Sequence, residues 1–553
     1  MMQEKTKRIC TFCPMNDTFF IERGTISAQF SGKELISTEY DPDGRGLCAR
    51  GNFITELIRS PERVRFPILD SREASWEKAR KVLQKALSSS ERIGIITDGS
   101  ITLEQAYILG ELAESTGAKL SLSDTSDWLA GMFARTRGTH LEDIEKTSFL
   151  LVVGDILSEH PTIGRHILKS RYGSRGADTC VVDSVPSRTS WFSRTGNIHL
   201  KPGREAEFIA MLAKLAGVEE YNDIDISLLA ERCGVTPDVA KCILTRFKDT
   251  EGSILIISHT EGHTENIPLL YEAGYKLTEK LDKGFLPLTT YSNSVGIVRM
   301  IKNLVPISEM ISCIEQGEID TLICINCCAF CQLPAATTVL DKLTNRILIS
   351  PIKPAENGNY NIVLPTGFIF ESNGSYLTIS GDILPFPDEF SPVNGIPTLE
   401  SLLLDISKLI GKEISIPDAE KIRETLDSFK PMEKAEFLTD SKETDTLLTA
   451  VAKALPTHLG AGFLTRRTEY NKNYFPTPLI EISKQKANEL GAKDGETALV
   501  TSDYGTACFT VKTVSDMPEN VVSLPVHYRE TATIFGRGLN KSVGPVLVSI
   551  RKE

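Results

Sequence analysis

No apolar run in the 553 residues approaches the ~18 that a membrane-spanning helix needs. The opening stretch, Met1 to Arg8, has neither a hydrophobic secretory core nor a twin-arginine signal. The expectation is a cytoplasmic protein with no membrane span. Positive charge is in deficit, with 61 Lys and Arg facing 73 Asp and Glu for a formal net charge of −12. That balance argues against nucleic acid as a partner, because phosphate binding needs a basic footprint. No internal repeat of solenoid period and no low-complexity tract is present, which excludes a repeat array. Cysteine, by contrast, is plentiful: there are twelve, five of them between 313 and 331. In a reducing compartment such clustering points to metal binding or to small apolar packing. The length and the 41% hydrophobic content allow three or four packed domains.

The N-terminal cysteines carry the most chemistry. Cys10-Thr-Phe-Cys13-Pro-Met-Asn-Asp17 is followed, after a polar hairpin-like stretch, by Gly46-Leu-Cys48-Ala-Arg50-Gly51. Two thiolates on one tight turn and a third from a returning segment match what a [4Fe-4S] cluster asks of a chain. Asp17 stands where a further thiolate is expected, and as a harder ligand it would hold one iron less firmly. Lys5, Lys7, Arg8 and Arg50 would offset the negative charge of such a centre. The competing reading is a set of buried structural cysteines with Asp17 as a turn residue.

Beyond Ser60-Pro-Glu-Arg63 the texture is α/β. Ser75 opens an amphipathic helix, and a second helix from about Thr102 to Ser115 ends at Gly117. Short apolar strands are expected at 93–97, 149–154, 179–183, 254–258, 322–325 and 346–350. Alternation of such strands with helices implies doubly wound parallel sheets, with ligands at the carboxyl ends of the strands. The stretch 431–446 is charged and weakly apolar, which reads as a linker. From 447 to 553 strands alternate as in a small β-barrel. The domains are therefore expected at 1–58 (iron-sulfur), 59–430 (α/β) and 447–553 (barrel).

This order of motifs resembles the molybdopterin oxidoreductase superfamily, of the dimethyl sulfoxide reductase type. The residues that carry the likeness are the N-terminal cysteines, Ser60-Pro-Glu-Arg63, Val153-Gly154-Asp155, Glu159-His160-Pro161, Val182-Asp183, Lys201-Pro202-Gly203-Arg-Glu205, Glu371-Ser-Asn-Gly374 and Leu524-Pro525-Val-His527. Within the superfamily the short chain looks most like the formylmethanofuran dehydrogenase catalytic subunit or a formate dehydrogenase alpha subunit. The resemblance implies a double-psi type C-terminal barrel, one [4Fe-4S] cluster and a bis-molybdopterin guanine dinucleotide carrying molybdenum or tungsten. It also implies cofactor contacts at Arg50, Gly154, Asp183, Gly203, Glu205, Arg466, Arg467 and His527.

Several positions depart from the pattern. At the family's metal-ligand position the chain reads Trp128 or Leu129, neither of which binds metal. Asp127 would serve after a shift of one or two residues, or would act as a helix N-cap. Asp155 puts a negative charge where a diphosphate is expected. The late phosphate-contact segment is replaced by Cys324-Ile-Asn-Cys327-Cys328-Ala-Phe-Cys331. Its spacing suits a second iron-sulfur cluster, with Cys328 or Cys313 as fourth donor, or a zinc site, or cysteines filling a tight packing position. His259 and His263 lie at a strand end, as acid-base groups or as members of a polar loop. Arg466 and Arg467 suit an anionic nucleotide or a solvated surface.

Two functions follow. One is an oxidoreductase subunit acting on a small C1 substrate, formate or a formyl group, with electrons leaving through the cluster. The other is an electron-transfer scaffold that kept the fold and cluster but lost the pterin. Either expects redox partner subunits of ferredoxin-like, flavin or hydrogenase type.

Overall fold

The computed structural model describes residues 4–25, 34–42, 44, 46–88, 92–134, 138–173, 176–193, 196–355, 358–388, 390–392, 395–430, 448–538 and 544–553. The expected linker 431–446 lies outside the described residues. The chain begins with an antiparallel meander of Glu4–Ile9, Thr18–Thr25 and Glu34–Tyr40. Its first connection is the loop 10–17, closed by Cys10 N donating to Asp17 O at 2.8 Å. Asn16 takes a left-handed backbone (φ 48°) there, a conformation that asparagine tolerates better than most residues.

Two parallel sheets follow, interleaved in sequence. One has the order 72–73, 68–69, 362–365, 345–350, 321–325, 93–97 and 119–122, its last five strands parallel. The other, 198–199, 178–183, 149–153, 254–258 and 284–288, is parallel throughout. Strands such as Phe149–Val153 and Ile254–Ser258 are buried at every residue. Helices cover both faces, so there is no polar face to alternate with. The helix Leu103–Thr116 is secured by a capping box between Thr102 and Gln105 and ends on left-handed Gly117.

The C-terminal half-barrel is a seven-stranded mixed sheet in which 449–453 runs parallel to 521–525 and 479–483 parallel to 506–514. The expected strands are all present. Among the strands not expected are Lys119–Leu122, only four residues long, and Gly284–Leu288, interrupted by Pro287.

Gly154 shows how closely neighbouring strands of the five-stranded sheet run at their carboxyl ends. Its φ is +88°, and a Cβ there would sit 2.1 Å from the Ser258 carbonyl oxygen. Beside the seven-stranded sheet that contains 345–350, the fully buried Arg63 pairs with the equally buried Glu371 at 2.6 Å, and Phe368 N also donates to that carboxylate at 3.0 Å. Glu371→Ala should cost about 3–5 kcal/mol because it strands a buried guanidinium, while the paired Arg63→Met/Glu371→Leu variant should lose much less. Urea denaturation followed by tryptophan fluorescence measures both.

Candidate functional site

The thiol site is assembled from two short elements. Cys10, Cys13 and Asp17 come from the first hairpin loop, while Cys48 is the N-cap of the helix Ala49–Asn52, which carries Arg50. Burial pushes the Cys10 thiol far up, and the neighbouring Cys13, Cys48 and Asp17 add to it. Burial likewise drives Cys13 up to about 12, against a pull from Arg50. The four donors therefore lie close enough to sense one another. They fit a polynuclear cationic centre, which would ionise thiols that otherwise stay protonated.

Arg50 is 2% exposed. Burial opposes its charge, but the sulfurs of Cys48, Cys13 and Cys10 outweigh that and hold it cationic. It donates to the carbonyls of His458, at 3.2 Å, and of Glu159. Its far side reaches a small chamber at the strand ends, also lined by Asp124, Glu159, His259, Glu261, His458, His527 and Arg537. The free volume is about 40 Å³, room for about three waters or a molecule of a few heavy atoms. Glu261 pairs with Arg537 at 2.6 Å and accepts from Thr125 N at 3.0 Å. Burial raises the Glu261 carboxyl to about 7, partly offset by Arg537. Burial first, then His263 and Arg537, push His259 down to about 3. His259 is thus neutral at ordinary pH, and neither ring nitrogen has a hydrogen-bond partner. His527 is fixed as one tautomer: Leu455 N donates to its Nε2 at 2.8 Å, so Nδ1 carries the proton, shared with Gly460 O. Asp124, Glu159, Glu261, His458 and Arg537 were not singled out as site residues from sequence; the available signal was that polar residues follow apolar strands.

Asp127 is not in the chamber. The helix Thr125–Phe133 is capped by Asp124, which accepts from Ser126 N and Asp127 N. Asp127 instead receives Thr290 N (2.6 Å), Tyr291 N (3.0 Å) and the Ser294 hydroxyl, so its carboxylate is used to hold the 290–294 loop. Neither the N-cap nor the metal-ligand reading describes it. Asp155 likewise is engaged within the protein, accepting from Thr189 N, Thr189 Oγ1 and Arg188 N.

A second buried group lies beside the chamber. His263 Nδ1 donates to Ala452 O of the half-barrel at 2.9 Å, and Nε2 lies 3.0 Å from Asp183 Oδ1 and 3.6 Å from Glu205 Oε1. Burial opposes the imidazolium, but Asp183 and then Glu205 prevail and raise His263 to about 10. Gly203 (φ 83°) pairs with Thr264 and positions this corner. Asp183 Oδ2 and both Glu205 oxygens are buried with no hydrogen-bond partner of good geometry. Such acceptors fit the N–H edge of a base. On the opposite side, a groove of two adjoining hollows, about 420 and 650 Å³, runs between the 324–355 region and the half-barrel. Arg466 borders both hollows and lies over the Tyr528 ring at 5.6 Å, whereas Arg467 pairs with Glu62. The nucleotide ends of a pterin dinucleotide thus find suitable residues. A protein ligand for its metal does not, since Leu129 is buried in apolar core.

In the 324–331 segment, Cys328 and Cys331 form a disulfide, which withdraws both from any metal while it stands. Cys324 and Cys327 hydrogen-bond to each other, and Cys327 lies against the Ile96 carbonyl at 3.5 Å. The cysteines are engaged pairwise, not around one shared centre; Cys313 lies apart, near Lys119.

His263 has a testable pH signature. Its folded pKa of about 10 exceeds the ordinary 6.5, so its stabilising contribution is complete below about pH 6.5 and is lost as pH rises through 10. The Tm of His263→Gln should fall well below wild type at pH 6.5, and the gap should close toward pH 10 in a calorimetric series.

Residues 449–547 match the Molydopterin dinucleotide binding domain. The F420-dependent formate dehydrogenase subunit alpha of Methanocaldococcus jannaschii is 29% identical over 203 residues, 34% of this chain and 29% of that protein. A subunit of the NADH-quinone oxidoreductase of Streptomyces coelicolor is 22% identical over 90% of this chain and 64% of its own length. The chain thus spans less than two thirds of either relative. Among solved structures, acetylene hydratase from Pelobacter acetylenicus superposes with a TM-score of 0.78 at 11% identity, covering 99% of this chain and 100% of that one, which shows the fold. No helix among the described residues is long and apolar enough to cross a membrane. The C-terminal domain match supports a molybdopterin cofactor, and together with these relatives and the shared fold it supports the molybdopterin oxidoreductase superfamily.

Proposed function

We propose that the chain is an iron-sulfur subunit of a multisubunit redox complex that carries out two-electron chemistry on a small C1 substrate, formate or a formyl group. The observation that carries this reading is Arg50. One buried cation touches the thiol site on one side and lines a chamber sized for a few heavy atoms on the other. In this reading Cys10, Cys13, Cys48 and Asp17 would hold a [4Fe-4S] cluster, which would supply single-electron transfer beside Arg50. Asp183 and Glu205, with Arg466, would hold the nucleotides of a pterin cofactor, which would supply two-electron chemistry at molybdenum or tungsten.

The chain's own residues prepare the chamber. Arg50 and Arg537 stand among Asp124, Glu159 and Glu261 in the chamber wall, and Glu159 is kept in place by the Ser258 and Thr260 hydroxyls. Glu261, with its carboxyl raised to about 7, can take up and release a proton at neutral pH, while His259 stays uncharged in the chamber. Redox partner subunits of ferredoxin-like, flavin or hydrogenase type would take the electrons onward. This reading places the chain in the cytoplasm.

Leu129 supports a second reading. With no side-chain ligand at the expected metal position and a narrow chamber, the chain would serve as an electron-transfer scaffold that kept only the cluster.

Metal and pterin analysis of anaerobically purified protein separates the two. We expect about four iron per chain, lost in Cys10→Ser and unchanged or raised in Asp17→Cys, together with molybdenum or tungsten and a guanylated pterin. Iron without either metal would establish the scaffold reading, and iron loss in Asp17→Cys would remove Asp17 as a simple ligand.

A further inference from the structure

The Cys324–Cys331 segment holds two consecutive Cys-x-x-Cys pairs in different states and different exposures. Cys324 and Cys327 are fully buried; Tyr360 hydrogen-bonds to Cys324, and Ala329 N donates to the Tyr360 hydroxyl at 3.0 Å. Cys328 and Cys331 are joined, with Cα atoms 5.3 Å apart. Cys328 is 0% exposed, whereas Cys331 is half-buried and lines both hollows of the groove against the half-barrel. A disulfide with one sealed and one open sulfur can be attacked from only one side.

The groove leading to it has a definite charge. Its walls carry Arg466, Arg467, Lys472 and Arg529 against Glu62 and Glu530, four cations to two anions, on a chain whose net charge is −12. Arg467 and Lys472 both lean on Glu62, and Arg466 borders both hollows. An approaching thiolate therefore meets a positive field.

We propose that Cys328–Cys331 is a redox-active thiol-disulfide site, open at Cys331 to small anionic thiols that enter along the Arg466 groove. The thiolate attacks the Cys331 sulfur, forming a mixed disulfide and releasing Cys328 as a thiolate. A second thiolate then attacks the outer sulfur of that mixed disulfide and leaves Cys331 as a thiolate. Two thiols are oxidised to one external disulfide, and the protein disulfide takes up the two electrons; the reverse steps restore it from an external disulfide. Cys328 is the resolving sulfur because only Cys331 faces the groove. The Cys324–Cys327 pair stays out of exchange, sealed behind Tyr360. This proposal does not depend on a pterin being bound.

The probe is glutathione, a small anionic thiol, applied to the full chain as purified. After equilibration with oxidised glutathione, alkylation and peptide mass spectrometry should find Cys328 and Cys331 protected together, and both labelled once reduced glutathione is in excess. Cys324 and Cys327 should label only after denaturation. With oxidised glutathione, Cys328→Ser should trap a mixed disulfide on Cys331 at least roughly tenfold faster than Cys331→Ser traps one on Cys328, and added salt should slow that capture. Free labelling of Cys328 and Cys331 after oxidation, capture on Cys328 instead of Cys331, or copurification of iron or zinc bound by these cysteines would each overturn the proposal. The wild-type labelling stands even if a variant fails to fold.

Discussion

A single buried guanidinium ties the functional centre together. Arg50 sits on a four-residue helix that would have little stability alone, yet it contacts the thiol site, the Glu159 carbonyl after one parallel strand and the His458 carbonyl of the C-terminal region. A buried cation without compensation is costly. It is tolerated because it is the counter-charge of the sulfur donors and because two carbonyls take its N–H groups. The hairpin, the parallel sheets and the half-barrel therefore meet around one charge. Burial keeps the Cys13 thiol protonated, and Arg50 biases it back toward the ionised form that a metal centre requires.

The corner around His263 applies the same principle with opposite sign. Asp183 and Glu205 bring two carboxylates into one dry space, and the imidazolium between them offsets their repulsion. Because the other ring nitrogen of His263 is anchored on Ala452, the ion group also fixes where the half-barrel sits against the sheets. Both corners lie at the carboxyl ends of parallel strands, where loops can carry polar side chains into a site without disturbing the apolar strands behind them.

Much of this was legible in the sequence because it is local. The pair Cys10 and Cys13 declares itself by spacing, and Ile254–Ser258 by an unbroken apolar run. The strand Lys119–Leu122 was not legible, being short and mixed in polarity, nor was Gly284–Leu288, where Pro287 counts against a strand. Asp124 and Asp127 differ by three residues, and only the observed start of the helix at Thr125 decides which one caps it. The contact between Asp183 and His263 spans eighty positions and leaves no periodic trace; neither does the pairing that divides the late cysteines into thiols and a disulfide. Proximity of this kind is a product of topology.

The interleaving of the two parallel sheets bears on how the molecule is made. The chain leaves the larger sheet after Leu122, builds the whole five-stranded sheet, and returns at Thr321 to place the strand that pairs directly with Ile93–Thr97. That pairing must await closure of a loop of about two hundred residues, and collapse of the intervening sheet into its own core is what shortens the loop. During synthesis the edge of Ile93–Thr97 stays open until the ribosome has passed residue 325. In that interval the apolar strand is exposed to mispairing, which makes the inserted sheet a timing element for the assembly of the larger one.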